Sequence, residues 1–161
     1  MPFDPETLSL RPAAAGDEEF LFTLYASSRD DDVRELEWSE DRISEFLRMQ
    51  YEAQQRFIKS EYQVADDQVV LMNGAGIGRI LVERRDHEIR GVDIVLLPEF
   101  RNQGIGSWLI AQLQSEASRA HKPLRIQVIR FSPAISLLER LGFARTSETG
   151  THYQMEWTAD S

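Results

Sequence analysis

The sequence contains no cysteine, no long apolar run and no excess of basic residues. Because none of its 161 residues is cysteine, the chain has no disulfide, no thiolate metal site and no cysteine nucleophile, and it fits a reducing compartment. No stretch of about 18 apolar residues occurs, so no transmembrane helix is expected. Acidic residues outnumber basic ones by 27 to 18, a net charge of −9, which disfavours binding to nucleic acid or an anionic membrane.

The start of the chain and its length suggest where the protein works and how it is organised. The first six residues, MPFDPE, show neither the basic nor the apolar region of a secretory signal, so we expect a cytoplasmic protein. At this length folding buries roughly 70% of the unfolded surface, enough for one core. We therefore expect a single domain over residues 1–161.

A strand, a glycine-rich turn and a helix follow each other in the middle of the chain. An apolar run over residues 92–97 stops at Pro98, and the turn at 101–106, RNQGIG, opens onto a segment with helical periodicity. The first amides of a helix lack intrahelical acceptors and the helix dipole makes that end partially positive, so the turn can bind phosphate. It is no Walker loop, since Ser107-Trp108 follows the last glycine. It is no dinucleotide fingerprint either, since Leu109 replaces the third glycine.

Alternating and helical patterns predict the other elements. In chain order they are a strand at 7–11, a helix after Asp17, a charged link at 27–38, a long helix capped by Ser39, a hairpin through Asn73-Gly74, the central strand ending at Leu97, a helix to about Ala120, a strand at 124–130, a short helix between Ser132 and Gly142, and a last hairpin at 144–158. The strand, crossover helix and strand in the middle imply a right-handed βαβ unit. The expected fold class is α/β with a mixed sheet, in the order β-α-α-β-β-β-α-β-α-β-β.

Two stretches resemble the motifs of one enzyme family. Arg101, Gly104 and Gly106 match the pattern Arg/Gln-x-x-Gly-x-Gly/Ala of the GNAT (Gcn5-related) acyltransferases, and residues 133–143, PAISLLERLGF, are similar to the closing motif of that family. The two motifs lie at the family's usual separation, and a looser resemblance covers nearly the whole chain. The resemblance implies a GNAT-like sheet that splays between its fourth and fifth strands into a V-shaped cleft.

The resemblance also implies acetyl-CoA as the co-substrate. Its pantetheine would lie against the exposed edge of the central strand, and its pyrophosphate would meet the amides of the glycine turn. Arg101 would add a charge-assisted contact. The residues implied at the cofactor site are Val95, Leu96, Leu97, Arg101, Asn102, Gln103, Gly104, Ile105, Gly106, Ser107 and Ser132.

The implied reaction is direct attack of an unprotonated amine on the thioester, with the CoA thiolate leaving. It needs a base, a donor for the oxyanion and a proton for sulfur. A backbone N–H near Leu97 is the implied oxyanion donor. Asp93 is the candidate base because it shares a strand face with Val95 and Leu97, although such a residue can also simply bond to neighbouring backbone. A water chain to Glu83 or to the acidic link would serve as well.

Leu138 occupies the position where many family members carry the tyrosine that protonates the thiolate. Either Tyr153 on the last hairpin takes that role, or solvent does, because a thiol pKa of about 8.5 makes the thiolate a good leaving group. Tyr153 is also explained as a half-buried strand residue. The departure leaves open an inactive module that binds acyl-CoA, and a structural protein with an empty turn is a third hypothesis.

The charged link supplies candidates for binding the acceptor. In the family the link between the first two helices forms a wall of the acceptor cleft, so Asp32, Glu35 and Trp38 are candidates for recognising an amine, although most acidic runs are solvated loops. Together with the net charge, they predict a cationic small-molecule or peptide amine as partner. No metal site, nucleic acid or membrane is expected. The oligomeric state is not determined by the sequence, and a homodimer is left open.

Overall fold

One seven-stranded sheet runs through the protein in this computed structural model, which describes residues 3–159. Its spatial order is β1-β2-β3-β4-β5-β7-β6. Only β4 and β5 pair in parallel among these neighbours, and the other pairs are antiparallel. The strands are β1 (Leu8–Pro12), β2 (Asp66–Met72), β3 (Ala75–Arg84), β4 (Ile89–Leu96), β5 (Leu124–Ile129), β6 (Ala144–Glu148) and β7 (His152–Trp157). The predicted mixed α/β fold is confirmed.

Helices cover both faces of the sheet. They are α1 (Glu18–Ser28), α2 (Asp30–Val33), α3 (Glu40–Glu61), α4 (Ile105–Ala120) and α5 (Ala134–Arg140). Apolar side chains of α4 and α5 form a main core with one face of the sheet. Those of α1 and α3 form a second core on the other face. Within residues 3–159, no helix combines the length and the apolar character that a bilayer span requires.

The helix α2 was not predicted. Its single turn begins with three aspartates in the segment that we expected to be a charged link. Negative side chains are favourable in the first turn of a helix, where the dipole is positive. A run of aspartates therefore suits a short helix as well as a loop.

Local capping signals are where the sequence predicts them. Ser39 accepts a hydrogen bond from the Arg42 amide at 3.2 Å and caps α3. The Ser132 hydroxyl oxygen accepts one from the Ala134 amide at 3.1 Å, and α5 begins there, one residue later than predicted. Gly142 has φ 96° and ends α5 in the left-handed conformation.

The hairpin between β2 and β3 brings the backbone of β3 close to β4. Asn73 and Gly74 have φ of 51° and 84°, as a two-residue turn of this kind requires. Gly76 and Gly78 lie on either side of a register shift between the two strands. A Cβ atom on Gly78 would lie 2.5 Å from the carbonyl oxygen of Val95. Only glycine fits there without moving β4.

The strands β4 and β5 part soon after they begin. They pair only over residues 89–91 of β4. Just beyond, the register with β3 jumps between Leu81 and Val82, which leaves one extra residue, Val92, on β4. A bulge of this kind bends the strand and increases its twist. The predicted V-shaped opening between the fourth and fifth strands is therefore present, and the bulge gives it a local cause.

Candidate active site

The turn between β4 and α4 presents backbone amides at the start of a helix. Gly104 has φ 89° and is the residue before α4. The amide of Trp108 donates to the Gly104 carbonyl at 3.0 Å, so the amides of residues 105–107 come before the first intrahelical bond. The first turn of α4 contains no acidic residue. A Cβ atom on Gly106 would meet nothing within 4 Å. The helix therefore begins with amides that have no intrahelical acceptor, and the space that a side chain at position 106 would fill is open.

Two side chains of this turn are directed back toward the strand end. Arg101 donates through Nε to the Leu96 carbonyl at 3.1 Å. Gln103 donates through Nε2 to the Glu99 carbonyl at 2.7 Å. In the protein without ligand, Arg101 therefore bonds to the open edge of β4, where the pantetheine was expected, and not to an anion at the turn.

The prediction that Leu97 donates to the oxyanion needs correction. The Leu97 amide donates to the Ile77 carbonyl at 2.8 Å, across to β3. Amides alternate in direction along a strand, so those of Ile94 and Leu96 face the side from which β5 has parted. The amide of Leu96, one residue earlier, has the orientation that was expected of Leu97.

A cavity of about 270 Å³ lies where β4 leaves β5, on the face covered by α1 and α3. It brings together three of the predicted residues, Asp93, Val95 and Ser132. It also brings in two arginines that we had not assigned to the site, Arg29 and Arg79. The cavity therefore combines a carboxyl group with positive charge next to the free edge of β4.

Burial governs the chemistry of Asp93. Burial raises the pKa of its carboxyl group, and the charges of Arg79 and Arg29 oppose this shift only in part. The Asp67 carboxylate and the Ile94 amide act on it more weakly, in opposite directions. A carboxylate with a raised pKa is a better proton acceptor than an ordinary one. The position and surroundings of Asp93 therefore suit a general base.

The positive charge of Arg79 is already compensated. Its side chain is 4% exposed. It donates to the two carboxylate oxygens of Asp67 at 2.8 and 2.7 Å and to Gln55 at 3.0 Å. Burial acts to lower the pKa of Arg79, and the hydrogen bonds and charge of Asp67, together with the charge of Asp93, more than offset this effect. Sequence reasoning missed this pair, although an arginine within the apolar strand GIGRILV was a signal that a buried partner exists.

Tyr153 does not lie with Asp93. It is the register partner of Val128, and both pack against the main core. The guanidinium of Arg145 lies over its ring, 4.3 Å from the centroid. The cavity with Asp93 is on the opposite face, under α1 and α3. Leu138, at the position of the family tyrosine, is 2% exposed and belongs to the main core.

The three acceptor candidates of the charged segment lie outside the lining of the cavity. Asp32 is 67% exposed and its carboxylate lies 3.6 Å from Arg29. Trp38 has the guanidinium of Arg42 over its ring, at 4.1 Å from the centroid. Glu35 is exposed. Among the residues that the structure describes, the lining instead includes Ser28 and Arg29 from this region.

Comparison with known proteins agrees with the fold. Residues 58–145 match the sequence model of a family described as an acetyltransferase (GNAT) domain. A comparison with curated proteins finds no match.

Several solved structures share the fold. One is a PaiA N-acetyltransferase from Thermoplasma acidophilum in complex with coenzyme A, with TM-score 0.70, 19% identity, and coverage of 94% of this chain and 98% of that chain. A GNAT family acetyltransferase from Elizabethkingia anophelis with acetyl-CoA bound has TM-score 0.64 and 15% identity, covering 95% and 99%. An acetyltransferase from Thermus thermophilus has TM-score 0.67 and 13% identity, covering 94% and 97%. At these identities the solved structures show a shared fold. Because the family model spans more than half of the residues, the chain belongs to the GNAT acetyltransferase family.

Proposed function

We propose that this protein transfers the acetyl group of acetyl-CoA to a primary amine by direct attack in the cavity beside β4. Membership of the family supplies the reaction class, an acyl transfer from acetyl-CoA. The observation that supports attack by an amine is Asp93, a carboxyl group with a raised pKa in a cavity that opens at the splayed edge of β4.

The glycine turn is the proposed site for the pyrophosphate. The amides of residues 102–107 offer donors at a helix start, the dipole of the 16-residue α4 adds to their attraction, and the open space at Gly106 lets an anion approach. The pantetheine would run along the free edge of β4 and replace the bond from Arg101 to Leu96. Once released, Arg101 is free to reach a phosphate.

The chemical step uses residues on both sides of this edge. The carboxylate of Asp93 takes a proton from the ammonium form of the acceptor. The amine nitrogen then bonds to the thioester carbon, and the Leu96 amide stabilises the oxyanion in the role first assigned to Leu97. The nitrogen loses its second proton to solvent, and collapse of the tetrahedral intermediate breaks the carbon–sulfur bond, which gives the neutral amide and releases the CoA thiolate.

Solvent is the proposed source of the proton for the thiolate. Leu138 has no hydroxyl group and is buried in the main core. Tyr153 faces that core too and is away from Asp93. A thiol with a pKa of about 8.5 leaves readily as the thiolate and needs little help.

For the acceptor amine, we compare the support from the net charge with that from the acidic segment. The net charge of −9 still favours a cationic amine. The acidic segment adds no support, because Asp32, Glu35 and Trp38 are not in the lining of the cavity. The net charge therefore supports a protonated amino group on the acceptor and does not determine whether the acceptor carries other charges.

The proposal is tested by measuring release of CoA thiol from acetyl-CoA in the presence of a panel of primary amines. We expect release that depends on the amine and saturates with it, together with acetyl-CoA binding by isothermal titration. Binding without turnover on any amine would favour the inactive acyl-CoA module. Absence of binding would favour a structural protein with an empty turn.

A further inference from the structure

The charged side chains that line the cavity do not suit an acceptor that carries only positive charge. Among the described residues that line it, formal charge is carried by Arg29, Arg79 and Asp93. Arg79 is paired with Asp67 through two hydrogen bonds and forms a nearly neutral unit. The charges left to meet a ligand are those of Asp93 and Arg29.

Arg29 retains hydrogen-bonding capacity. It lies at the end of α1, with its side chain 30% exposed and 3.6 Å from the Asp32 carboxylate. That separation exceeds a hydrogen bond, and Asp32 is itself in solvent, so the attraction between them is weak. The guanidinium lies over the Tyr25 ring at 5.2 Å from its centroid, which limits its orientations. A guanidinium has five N–H donors in a planar fork, and Arg29 is one of the residues that line the cavity.

The two free charges differ in sign and lie near each other. Both residues line the same cavity, and the charge of Arg29 acts to lower the pKa of Asp93. An acceptor that carries only positive charge would be attracted by Asp93 and repelled by Arg29. An acceptor with an amine at one end and an anionic group at the other satisfies both.

We propose that the acceptor is a small amine that also bears a carboxylate, and that Arg29 binds this carboxylate while Asp93 receives the proton of the amine. The inference rests on the proposed function and names its substrate class. A carboxylate matches the guanidinium fork in a bidentate arrangement. The cavity of about 270 Å³ is at the small end for ligand sites, which suits a molecule of amino-acid size.

The test compares amino acids with their carboxamides, which keep the amine and lose the negative charge. CoA release is measured for the parent protein, Arg29→Gln, Arg29→Lys and a control, Arg34→Gln. Arg34 is 71% exposed, forms an ion pair with Asp31 at 3.2 Å and is absent from the lining. Circular dichroism and acetyl-CoA titration establish that each variant folds and binds the donor.

We expect the parent to prefer acids over amides in kcat/KM by at least about tenfold. In Arg29→Gln the KM for acids should rise about 10-fold to 100-fold, as for loss of a hydrogen bond to a charged group. Its kcat for acids and its KM for amides should hardly change. Arg29→Lys should recover part of the preference, and Arg34→Gln should behave like the parent.

A second variant distinguishes carboxylate binding by Arg29 from amine binding by Asp32 of the acidic segment. If Asp32 binds the amine, Asp32→Asn should raise KM. If Arg29 binds a carboxylate, the same change removes a weak competitor and should lower KM slightly or leave it unchanged. A rise in KM for acids in Asp32→Asn would overturn the inference.

Two other results would also overturn it. One is that the parent protein acetylates amino-acid carboxamides or polyamines but not amino acids. That result would leave the proposed function intact. The other is an equal loss for acids and amides in Arg29→Gln. A protein that binds acetyl-CoA but releases no CoA with any amine would instead end the proposed function, and this inference with it.

Discussion

At the scale of single residues, the burial of Asp93 links stability to pH. Burial raises its folded-state pKa above the ordinary 3.8. Its contribution to stability is therefore full below the unfolded-state pKa and is lost as pH rises through the folded-state pKa. The ionised form of the group therefore opposes folding. If it is the base, activity should fall as pH drops through the same raised pKa.

Replacing Asp93 with asparagine separates these two effects. We expect Asp93→Asn to lower kcat by about 100-fold or more, as for loss of a general base. Its free energy of unfolding at neutral pH should equal or exceed that of the parent. Urea denaturation and CoA release on the same samples measure both. Full activity would exclude the base role, and a large loss of stability would show that the carboxylate holds the fold.

The position of Leu138 and Tyr153 gives a second prediction. Tyr153→Phe removes only a hydroxyl on the face away from Asp93, so turnover should stay near the parent's. Leu138→Tyr enlarges a side chain that is 2% exposed, and overpacking should cost roughly 1–3 kcal/mol of unfolding free energy. A fall of about 100-fold in turnover for Tyr153→Phe, with acetyl-CoA binding intact, would identify Tyr153 as the acid.

Two neighbouring aspartates provide a matched test of the buried ion pair. Asp67→Asn leaves Arg79 buried without its counter-charge, which costs about 3–5 kcal/mol when a pair is well buried. Asp66 pairs with Arg84 at 2.5 Å, but their side chains are 65% and 39% exposed. Asp66→Asn should therefore cost at most about 1 kcal/mol. Thermal or urea unfolding compares the two, and equal small losses would show that Asp67 is not needed.

At the scale of elements, the glycine turn distinguishes a binding effect from a folding effect. Gly106→Val adds a side chain to open space, where backbone strain from a positive φ does not arise. We expect unchanged circular dichroism and stability with a loss of acetyl-CoA affinity. Gly104→Val should lose affinity and also about 1 kcal/mol or more of stability, because φ is 89° there. Undiminished binding by both variants in isothermal titration would locate the cofactor elsewhere.

The features that the sequence predicts well at this scale are local ones. The Asn73-Gly74 turn, the Ser39 cap and the Gly142 helix end each depend on a few adjacent residues. The bulge at Val92 has only a weak local signal, the preceding Gly91, because its position depends on pairing with β3. The direction of the Leu97 amide depends on that pairing too, so the sequence alone does not reveal that this amide bonds to the Ile77 carbonyl.

The candidate site shows the same contrast between features with a local sequence signal and features that depend on tertiary packing. The glycine turn and Asp93 could be predicted because one segment contains them. Arg29 and Arg79 come from α1 and β3 and meet only in the folded protein. Within the sequence, Arg29 looks like part of a solvated charge run. Its position over the Tyr25 ring is a local i,i+4 contact at the end of α1, but its place beside Asp93 and Arg79 depends on tertiary packing.

At the scale of the whole molecule, ligand binding should appear as stability. Acetyl-CoA at about 100 times its dissociation constant should raise the free energy of unfolding by about 2.7 kcal/mol. A thermal shift series against acetyl-CoA concentration measures this, with free pantetheine as the control that lacks the nucleotide. No shift at any concentration would remove both the catalytic and the inactive-module hypotheses.

The parting of β4 from β5 also bears on aggregation. It gives the sheet two additional unpaired edges, and an unpaired edge normally invites a strand from another chain. Here each edge faces the other within the same sheet, and Arg101 already bonds to the carbonyl of Leu96. A polypeptide strand with side chains on both faces finds little access to such an opening. A thin chain with amide groups, such as pantetheine, does not meet that obstacle, so the fold can expose backbone for a ligand while withholding it from other proteins.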